Sequence, residues 1–558
     1  MESVKRHIGD AAALLALAAI MALTAVIGFE LIDGALTYIR GGDSVSYVLL
    51  AKAIATGHWY SDINIPGSPP HTQYPPLFPL ILSPVYFLLG LNVFWMKAVV
   101  LAFGVGAVLG AGLLFGKDSG HARGPLVALL TGTNFYVLFF MREVMSDVPY
   151  MALSLFSVYF IEAYSDRDKG ALSIAAPVFL AAAYLTRMIG ITIYAAALAS
   201  LFFKILLEKD GRGLYLKKLI FLGITGAVPF VLWSIRGHIY GQGVSTYGSI
   251  FLQADYYSVE GGTLSAGPLI TRVLKNSLYY LDEVPTALMT YSFVKDSLHP
   301  VILKVVEVAL LVVMAVGFLK ELFLKRGGKD FYVLFYMALL AVWPVYGTGD
   351  ARRYIVPLIP FIYFYFFAGF SAVFCRGKKE GAGFRPVMLI PLFLLLAMNF
   401  AEIKAVVWPQ TAFKRLQSVG RAFSENIAKR VDYLTPETLA ADYFAKKSPC
   451  YRQYMMTAYY LRAGMNSNEV IMTRKPEMVS LITGGYAVRF PFTNNADEML
   501  GFMKEKKVAY VLVDGCFAEA GLYVRPFMDA HPEMFKVMTE DTKGTLLAEV
   551  RKDIPKPR

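Results

Sequence analysis

The chain has 558 residues, of which 56% are apolar, 14% aromatic and 17% charged, with a formal net charge of +12. That is too little charge to cover the surface of a water-soluble protein of this length, so most of the chain must meet lipid. The positive excess needs no nucleic-acid partner, because short basic loops between membrane spans account for it.

Apolar runs of about 20 residues cross a bilayer as helices, since a helix satisfies its own backbone in hydrocarbon. In chain order such runs lie at 11–31, 93–116, 124–141, 147–165, 171–187, 188–207, 217–236, 301–324, 331–347, 354–375 and 386–408. They predict a polytopic α-helical membrane protein of about 11 transmembrane helices. Lys5 and Arg6, Lys117 and Arg123, Arg167 and Lys169, Lys204 to Lys218, Lys320 to Lys329, and Arg376 to Arg385 fall in every second connection. Loops rich in Lys and Arg stay cytoplasmic. The N-terminus is therefore expected inside, with the loop of Asp43, the connection 237–300 and everything after 408 outside. The first run is long and no small-residue cleavage site follows it, so an uncleaved span is expected rather than a signal peptide. Segments 44–56 and 77–91, the latter interrupted by Pro79 and Pro84, read as helices lying in the outer interface, with Gly57 stopping the first.

After Trp408-Pro409 the composition becomes that of a soluble domain, dividing the chain into 1–408 and 409–558. Strands are expected at 468–473, 486–491, 508–514 and 546–550, and helices at 476–483 and 496–506, with Pro476 suited to a first turn. Strands alternating with helices predict a small α/β domain. Cys375 lies at a span end, while Cys450 and Cys516 in the tail either form a disulfide or remain two buried thiols.

The chemistry-bearing residues gather at span ends on the outer face. Gly41-Gly42-Asp43-Ser44 precedes a helix. Asp43 reads either as its N-cap or as a general base placed where a hydroxyl or amine acceptor can reach it. Arg142-Glu143 and Ser146-Asp147-Val148-Pro149 form a short outer turn. Ser146 or Asp147 can cap the next helix, and Glu143 can be a surface partner of Arg142; equally, Glu143 and Asp147 can converge on Asp43. Arg187, Arg352 and Arg353, like Arg142 and Arg236, sit at outer ends where positive charge is otherwise scarce. Such arginines either snorkel to headgroups or bind phosphate oxygens as planar forks, and Asp350 is a candidate to neutralise one of them. Tyr47, His71 and Tyr74, the last opening a rigid Tyr74-Pro75-Pro76 corner, are candidates to position sugar or acceptor. The tyrosines of 237–300, among them Tyr247, Tyr256, Tyr257, Tyr279 and Tyr280, read as an interface belt or as stacking faces on a lid.

Taken in order, the Gly42-Asp43 loop with Tyr47, the Tyr74-Pro75-Pro76 corner, Ser146-Asp147-Val148-Pro149, Thr186-Arg187 and Arg353-Tyr354-x-x-Pro357-x-x-Pro360 resemble the GT-C glycosyltransferases. Within these, protein O-mannosyltransferases and lipid A aminoarabinose transferases are the most similar, over roughly residues 1–410. The tail resembles the extracytoplasmic α/β domain of bacterial members. The resemblance implies a GT-C fold in the bacterial inner membrane and inverting transfer from a polyprenyl-phosphate-linked sugar to a lipid, glycan or protein acceptor. It makes Asp43 the essential first-loop acid, Asp147 the second-loop acid, and Arg187, Arg352 and Arg353 the donor-phosphate ligands. The chain departs from the family where Ser44 follows Asp43 and His71-Thr72-Gln73 precedes the corner. No cofactor is assigned; a divalent metal stays an open but unsupported alternative, since two lone acidic motifs do not make a cage. The rival function is a transporter or flippase of polyprenyl-linked glycans, which would place polar groups and broken helices near mid-membrane.

Overall fold

The computed structural model describes residues 2–32, 42–116, 123–165, 175–208, 211–241, 251, 253, 262–289, 299–344, 349–374, 386–407, 449–516, 518–542 and 544–551. Helices occupy every one of the predicted apolar runs. The first three runs form α1 (Glu2–Leu31), α4 (Val93–Gly116) and the bent pair α5 (Arg123–Thr133) and α6 (Phe135–Met141). They are followed by α7 (Asp147–Tyr164), α8 (Ala175–Thr186), α9 (Ile191–Leu207) and α10 (Arg212–Tyr240). Later come α12 (Pro300–Leu324), α13 (Gly328–Val342), a 3₁₀ segment Gly349–Leu358 running into α14 (Ile359–Phe374), and α15 (Leu389–Val407). Among the described residues, 6 helices are long and apolar enough to cross a membrane, or up to 7 with the bent pair as one span. The protein is an integral membrane protein, and large apolar side chains such as Ile224, Leu232, Val305 and Phe323 are exposed along its helices, where lipid covers them.

Two local devices shape the bundle. The chain bends by 60° between α5 and α6. At the break Asn134 accepts the backbone N–H groups of Tyr136 and Val137, and its amide donates to the Ala287 carbonyl and the Tyr363 hydroxyl, each at 2.9 Å. One side chain thus starts a helix and ties it to two distant segments. On the facing helices α12 and α14, Gly317 and Gly369 each lie against the other helix's backbone, with no room for a Cβ. Small residues of this kind let membrane helices approach closely.

Helices α2 (Asp43–Ala55) and α3 (Leu77–Leu89) form where interfacial helices were expected, and Gly57 at φ +81° terminates the first. The connection 237–300 departs from the expectation of an outer loop or lid. Within it α11 (Ala266–Met289) packs into the bundle, burying Asn276, Tyr280 and Glu283. Ile270, Leu274 and Leu278, spaced at four residues, form its exposed apolar stripe. Tyr280 is therefore a core residue; Tyr247, Tyr256 and Tyr257 lie outside the described residues, as does Cys375.

The C-terminal unit holds helices α16 (Pro449–Leu461), α17 (Pro476–Thr483), α18 (Ala496–Glu505) and α19 (Arg525–Ala530). Its strands are β1 (Val470–Thr473), β2 (Tyr486–Arg489), β3 (Val508–Val513), β4 (Phe535–Glu540) and β5 (Leu546–Val550), in the order β2-β1-β3-β5-β4. The first three are parallel and the last two antiparallel additions. Side chains alternate across a strand, and the two faces join different cores. Ile471, Ala487, Tyr510, Leu512 and Leu547 join α16, α17 and the membrane helices in one hydrophobic cluster. Val470, Met472, Val488, Val511 and Val513 pack with α18 and α19 on the other face. Cys450 and Cys516 form a disulfide, settling the open alternative. Strand β4 was not foreseen.

Candidate active site

The site is built on helix starts. Gly42 adopts φ 90°, a left-handed turn that glycine takes without strain, and α2 begins at Asp43. Asp43 does not cap this helix, so the N-cap alternative is corrected. Its carboxylate is turned away: Oδ1 accepts the Tyr74 hydroxyl at 2.9 Å and Oδ2 accepts Arg353 Nη2 at 2.6 Å. Both ends of that ion pair are largely buried, at 10% and 17% side-chain exposure. Burial alone would raise the Asp43 carboxyl. The Arg353 charge, the hydrogen bonds from Arg353 and Tyr74, and the Arg187 charge outweigh it and hold Asp43 below its ordinary 3.8.

Tyr74 is fixed by a chain of contacts through the loop between α2 and α3. Its backbone N–H donates to His71 Nε2 at 2.7 Å, and His71 Nδ1 lies 2.7 Å from Asp62 Oδ1. With Nε2 accepting, the His71 proton sits on Nδ1 and is donated to Asp62. The His71 ring stacks on Tyr74 at 5.4 Å. Arg236, at the end of α10, donates to the carbonyls of Tyr60 at 2.8 Å and His71 at 3.1 Å. His71 therefore braces Tyr74, and the out-of-place Arg236 has a backbone rather than a phosphate to hold.

The second acidic turn repeats the arrangement. Ser146 does not cap α7; its hydroxyl pairs with the Tyr47 hydroxyl at 2.7 Å and accepts Arg187 Nη1 at 3.3 Å. Asp147, 1% exposed at its side chain, holds Arg187 with a 2.7 Å contact from Oδ1. Tyr354 lies between the two arginines, its ring centroid 5.8 Å from the Arg187 guanidinium and 5.1 Å from that of Arg353. Tyr47 also packs against Tyr74 at 5.0 Å. So Asp43, Tyr47, Tyr74, Asp147, Arg187 and Arg353 form one connected cluster, with His71 bracing it.

Arg352 and Glu143 take other partners. Arg352 Nε contacts Glu283 of α11 at 2.9 Å, and Glu143 lies 3.6 Å from Arg142. In a 3₁₀ segment successive side chains point a third of a turn apart, so neighbours 352 and 353 cannot serve one site equally. The side chain of Asp350 lies outside the described ones; Arg353 has Asp43 as its partner. Three buried atoms of the cluster make no hydrogen bond among the described residues: Asp147 Oδ1, which meets Arg187 as an ion pair, and Asp147 Oδ2 and Arg353 Nε. The described residues contain no grouping of three or more His, Cys, Asp or Glu that would hold a metal ion. Asp43 commits both oxygens, and Asp147 one, to arginine and tyrosine; that donor set does not fit a cation cage.

No protein-family model matches the chain, and no curated protein matches it. Solved structures do. ArnT from Cupriavidus metallidurans bound to undecaprenyl phosphate aligns over 97% of this chain and 99% of its own at 12% identity, with a TM-score of 0.56. The apo state of that ArnT aligns over 98% and 100% at 11% identity and 0.52. The Archaeoglobus fulgidus oligosaccharyltransferase tethered to an acceptor peptide containing the NVT sequon aligns over 97% and 74% at 13% identity and 0.51. The chain has a GT-C-type fold. The fold expected from the ordered motifs is therefore met across nearly the whole chain, the C-terminal unit included. Ser146 and Tyr354 were not expected as site residues, although both stand inside the motifs given above. Nor was Asp62, which carries no local signal.

Proposed function

We propose that this protein transfers a sugar from a polyprenyl-phosphate donor to a lipid, glycan or protein acceptor, with inversion, on the extracytoplasmic face of a bacterial inner membrane. The observation that carries the reading is Asp43, a buried, ionised carboxylate held beside two arginines, with the Nε of Arg353 lacking a hydrogen-bond partner among the described residues. The same fold in an ArnT bound to undecaprenyl phosphate supports it.

In this reading the acceptor oxygen or nitrogen attacks the anomeric carbon and gives its proton to Asp43. The bond from that carbon to the phosphate oxygen breaks, and polyprenyl phosphate leaves with the electron pair. Arg353 and Arg187 hold the departing charge; forked guanidiniums suit phosphate oxygens. Asp147 Oδ2, buried and open, accepts from a sugar hydroxyl, while Tyr74 and Tyr47 fix the Asp43 side. Positioning and electrostatics then carry the reaction without a covalent intermediate. Arg352 stands outside this set. No observation favours the transporter reading, since the connected charged cluster sits at helix ends.

The test is transfer of labelled sugar from polyprenyl-phosphate donors by purified wild type and Asp43→Asn, with mass spectrometry of glycolipids and glycoproteins, with and without the gene, to find the acceptor. Near-normal transfer by Asp43→Asn would sink the mechanism.

A further inference from the structure

The C-terminal unit reaches the site. Helix α17 packs on α2 within one hydrophobic cluster that includes Val45, Val48, Met478, Val479 and Ile482. Glu477 Oε2 lies 3.8 Å from where a Cβ on Gly42 would stand, so the first turn of α17 abuts the residue before Asp43. The edge strand β2 is tied to the loop between α2 and α3 by the Ala487 N–H, which donates to the Asn64 carbonyl at 2.8 Å. At the head of α17 sits Lys475, 7% exposed, followed by Pro476 in the first turn. Its surroundings are built: Tyr454 bonds Thr473 Oγ1 at 2.5 Å, and Thr473 Oγ1 donates to the Leu512 carbonyl at 2.9 Å.

We infer that the C-terminal unit is a working wall of the transfer site, with Lys475 as a positioning residue that keeps a positive charge against Asp43 when donor phosphate engages Arg353; the inference rests on the transferase reading. The same Arg353 fork serves Asp43 in the structure. Phosphate oxygens compete for that fork. A buried carboxylate stripped of its counter-charge takes up a proton, and a protonated Asp43 cannot act as a base. A second cation at the start of α17, whose first turn lies against Gly42, prevents this, and it comes from a helix whose own backbone is anchored in the soluble unit.

The charges around Lys475 agree with this placement. Burial pushes its ammonium down to about 8, the neighbouring Arg474 and Arg489 charges add to the shift, and Glu477 and Asp43 oppose it. Asp43 thus acts electrostatically on Lys475 across the interface between the two units. The Lys475 charge is present below about pH 8 and lost above it.

The experiment has two arms on the full-length protein in detergent, with thermal unfolding checked for each variant. In the first, transfer is followed against pH. Wild-type kcat is expected to fall as pH rises past about 8. Lys475→Arg extends the plateau, because guanidinium stays charged. Lys475→Ala lowers kcat by roughly tenfold or more below about pH 8, with little change in donor KM, and the wild-type rate converges on that of the variant above it. A wild-type profile and rate in Lys475→Ala, or an unmoved alkaline fall in Lys475→Arg, overturns the inference. The second arm needs no turnover: competitive acylation of Lys475 across pH, in wild type and in Asp43→Asn. Loss of the Asp43 charge shifts the Lys475 profile to lower pH. An unchanged profile overturns the inference even where transfer is observed, whereas absence of transfer with a shifted profile removes only the transferase reading.

Discussion

Replacing Arg353 by alanine removes one half of a buried ion pair and leaves Asp43 with the Tyr74 hydroxyl as its remaining hydrogen-bond donor among the described residues. Breaking such a pair from one side costs about 3–5 kcal/mol, because a charge is left buried and uncompensated. Asp43→Asn has the converse effect on Arg353. The double variant leaves neither charge exposed to that penalty, so the two single costs do not add, and a coupling of about 2–3 kcal/mol is expected. Activity behaves differently. Under the proposed function each single variant loses transfer by about 10²–10⁴, the usual worth of a general base, and the double variant is no worse than either. Unfolding free energies by denaturant titration in mixed micelles supply the first cycle, and initial rates with a labelled lipid donor the second. If the two single costs add to within about 0.5 kcal/mol, the 2.6 Å contact contributes nothing and the charge argument for the site fails.

Tyr74→Phe removes a hydrogen bond to a charged oxygen, worth about 1.5–3 kcal/mol; it should raise the Asp43 carboxyl and slow transfer at least about tenfold, and an unchanged rate would free Tyr74 from the site. Because Asp43 is held below 3.8 when folded, its pair contributes fully above that value and is lost as pH falls through the folded pKa. Acid-unfolding curves should therefore converge for wild type and Arg353→Ala only at low pH. Reduction of Cys450–Cys516, which closes a 66-residue separation, should destabilise the C-terminal unit by about 2–4 kcal/mol, read as earlier thermal unfolding. For sidedness, a cysteine at Lys325 should label from the cytoplasm and one at Asp497 from outside; labelling of the latter from the cytoplasm would overturn the placement of the site.

Much of this architecture is written in local pattern. Apolar runs marked the spans, Gly57 and Pro476 marked helix ends, and alternation marked four strands. What escaped lacked such a pattern for physical reasons. Helix α11 carries Arg272, Lys275, Asp282 and Glu283, charges that hide its lipid-facing stripe from any average over the segment. Strand β4 buries only Phe535 of its six residues, so no alternation exists to be read. Asp43, Asp147, Arg187 and Arg353 were recognisable as charges out of place at span ends. Their pairing was not, because it depends on which way a 3₁₀ turn aims Arg353 and Arg352. Nor was the role of Ser146, whose hydroxyl is drawn from its expected capping position toward Tyr47 and Arg187.

The charge balance of the cluster limits what it can bind. Asp43 with Arg353 and Asp147 with Arg187 make two neutral pairs, as burial demands of charges that lipid-embedded helices bring together. A neutral site exerts little long-range pull on a free anion. Whatever takes the arginines must supply its own binding energy from elsewhere, and a long apolar chain dissolved in the same bilayer does so. The phosphate then has only to exchange with a carboxylate at short range. Arg353 suits that exchange under the proposed function: its Nε has no hydrogen-bond partner among the described residues, and the Tyr354 face that it shares with Arg187 keeps both guanidiniums in place while their anions change. The same exchange frees an oxygen of Asp43. Under the proposed function donor binding and release of the base are one event, and the neutral pairs keep the carboxylate occupied until a lipid-linked phosphate arrives.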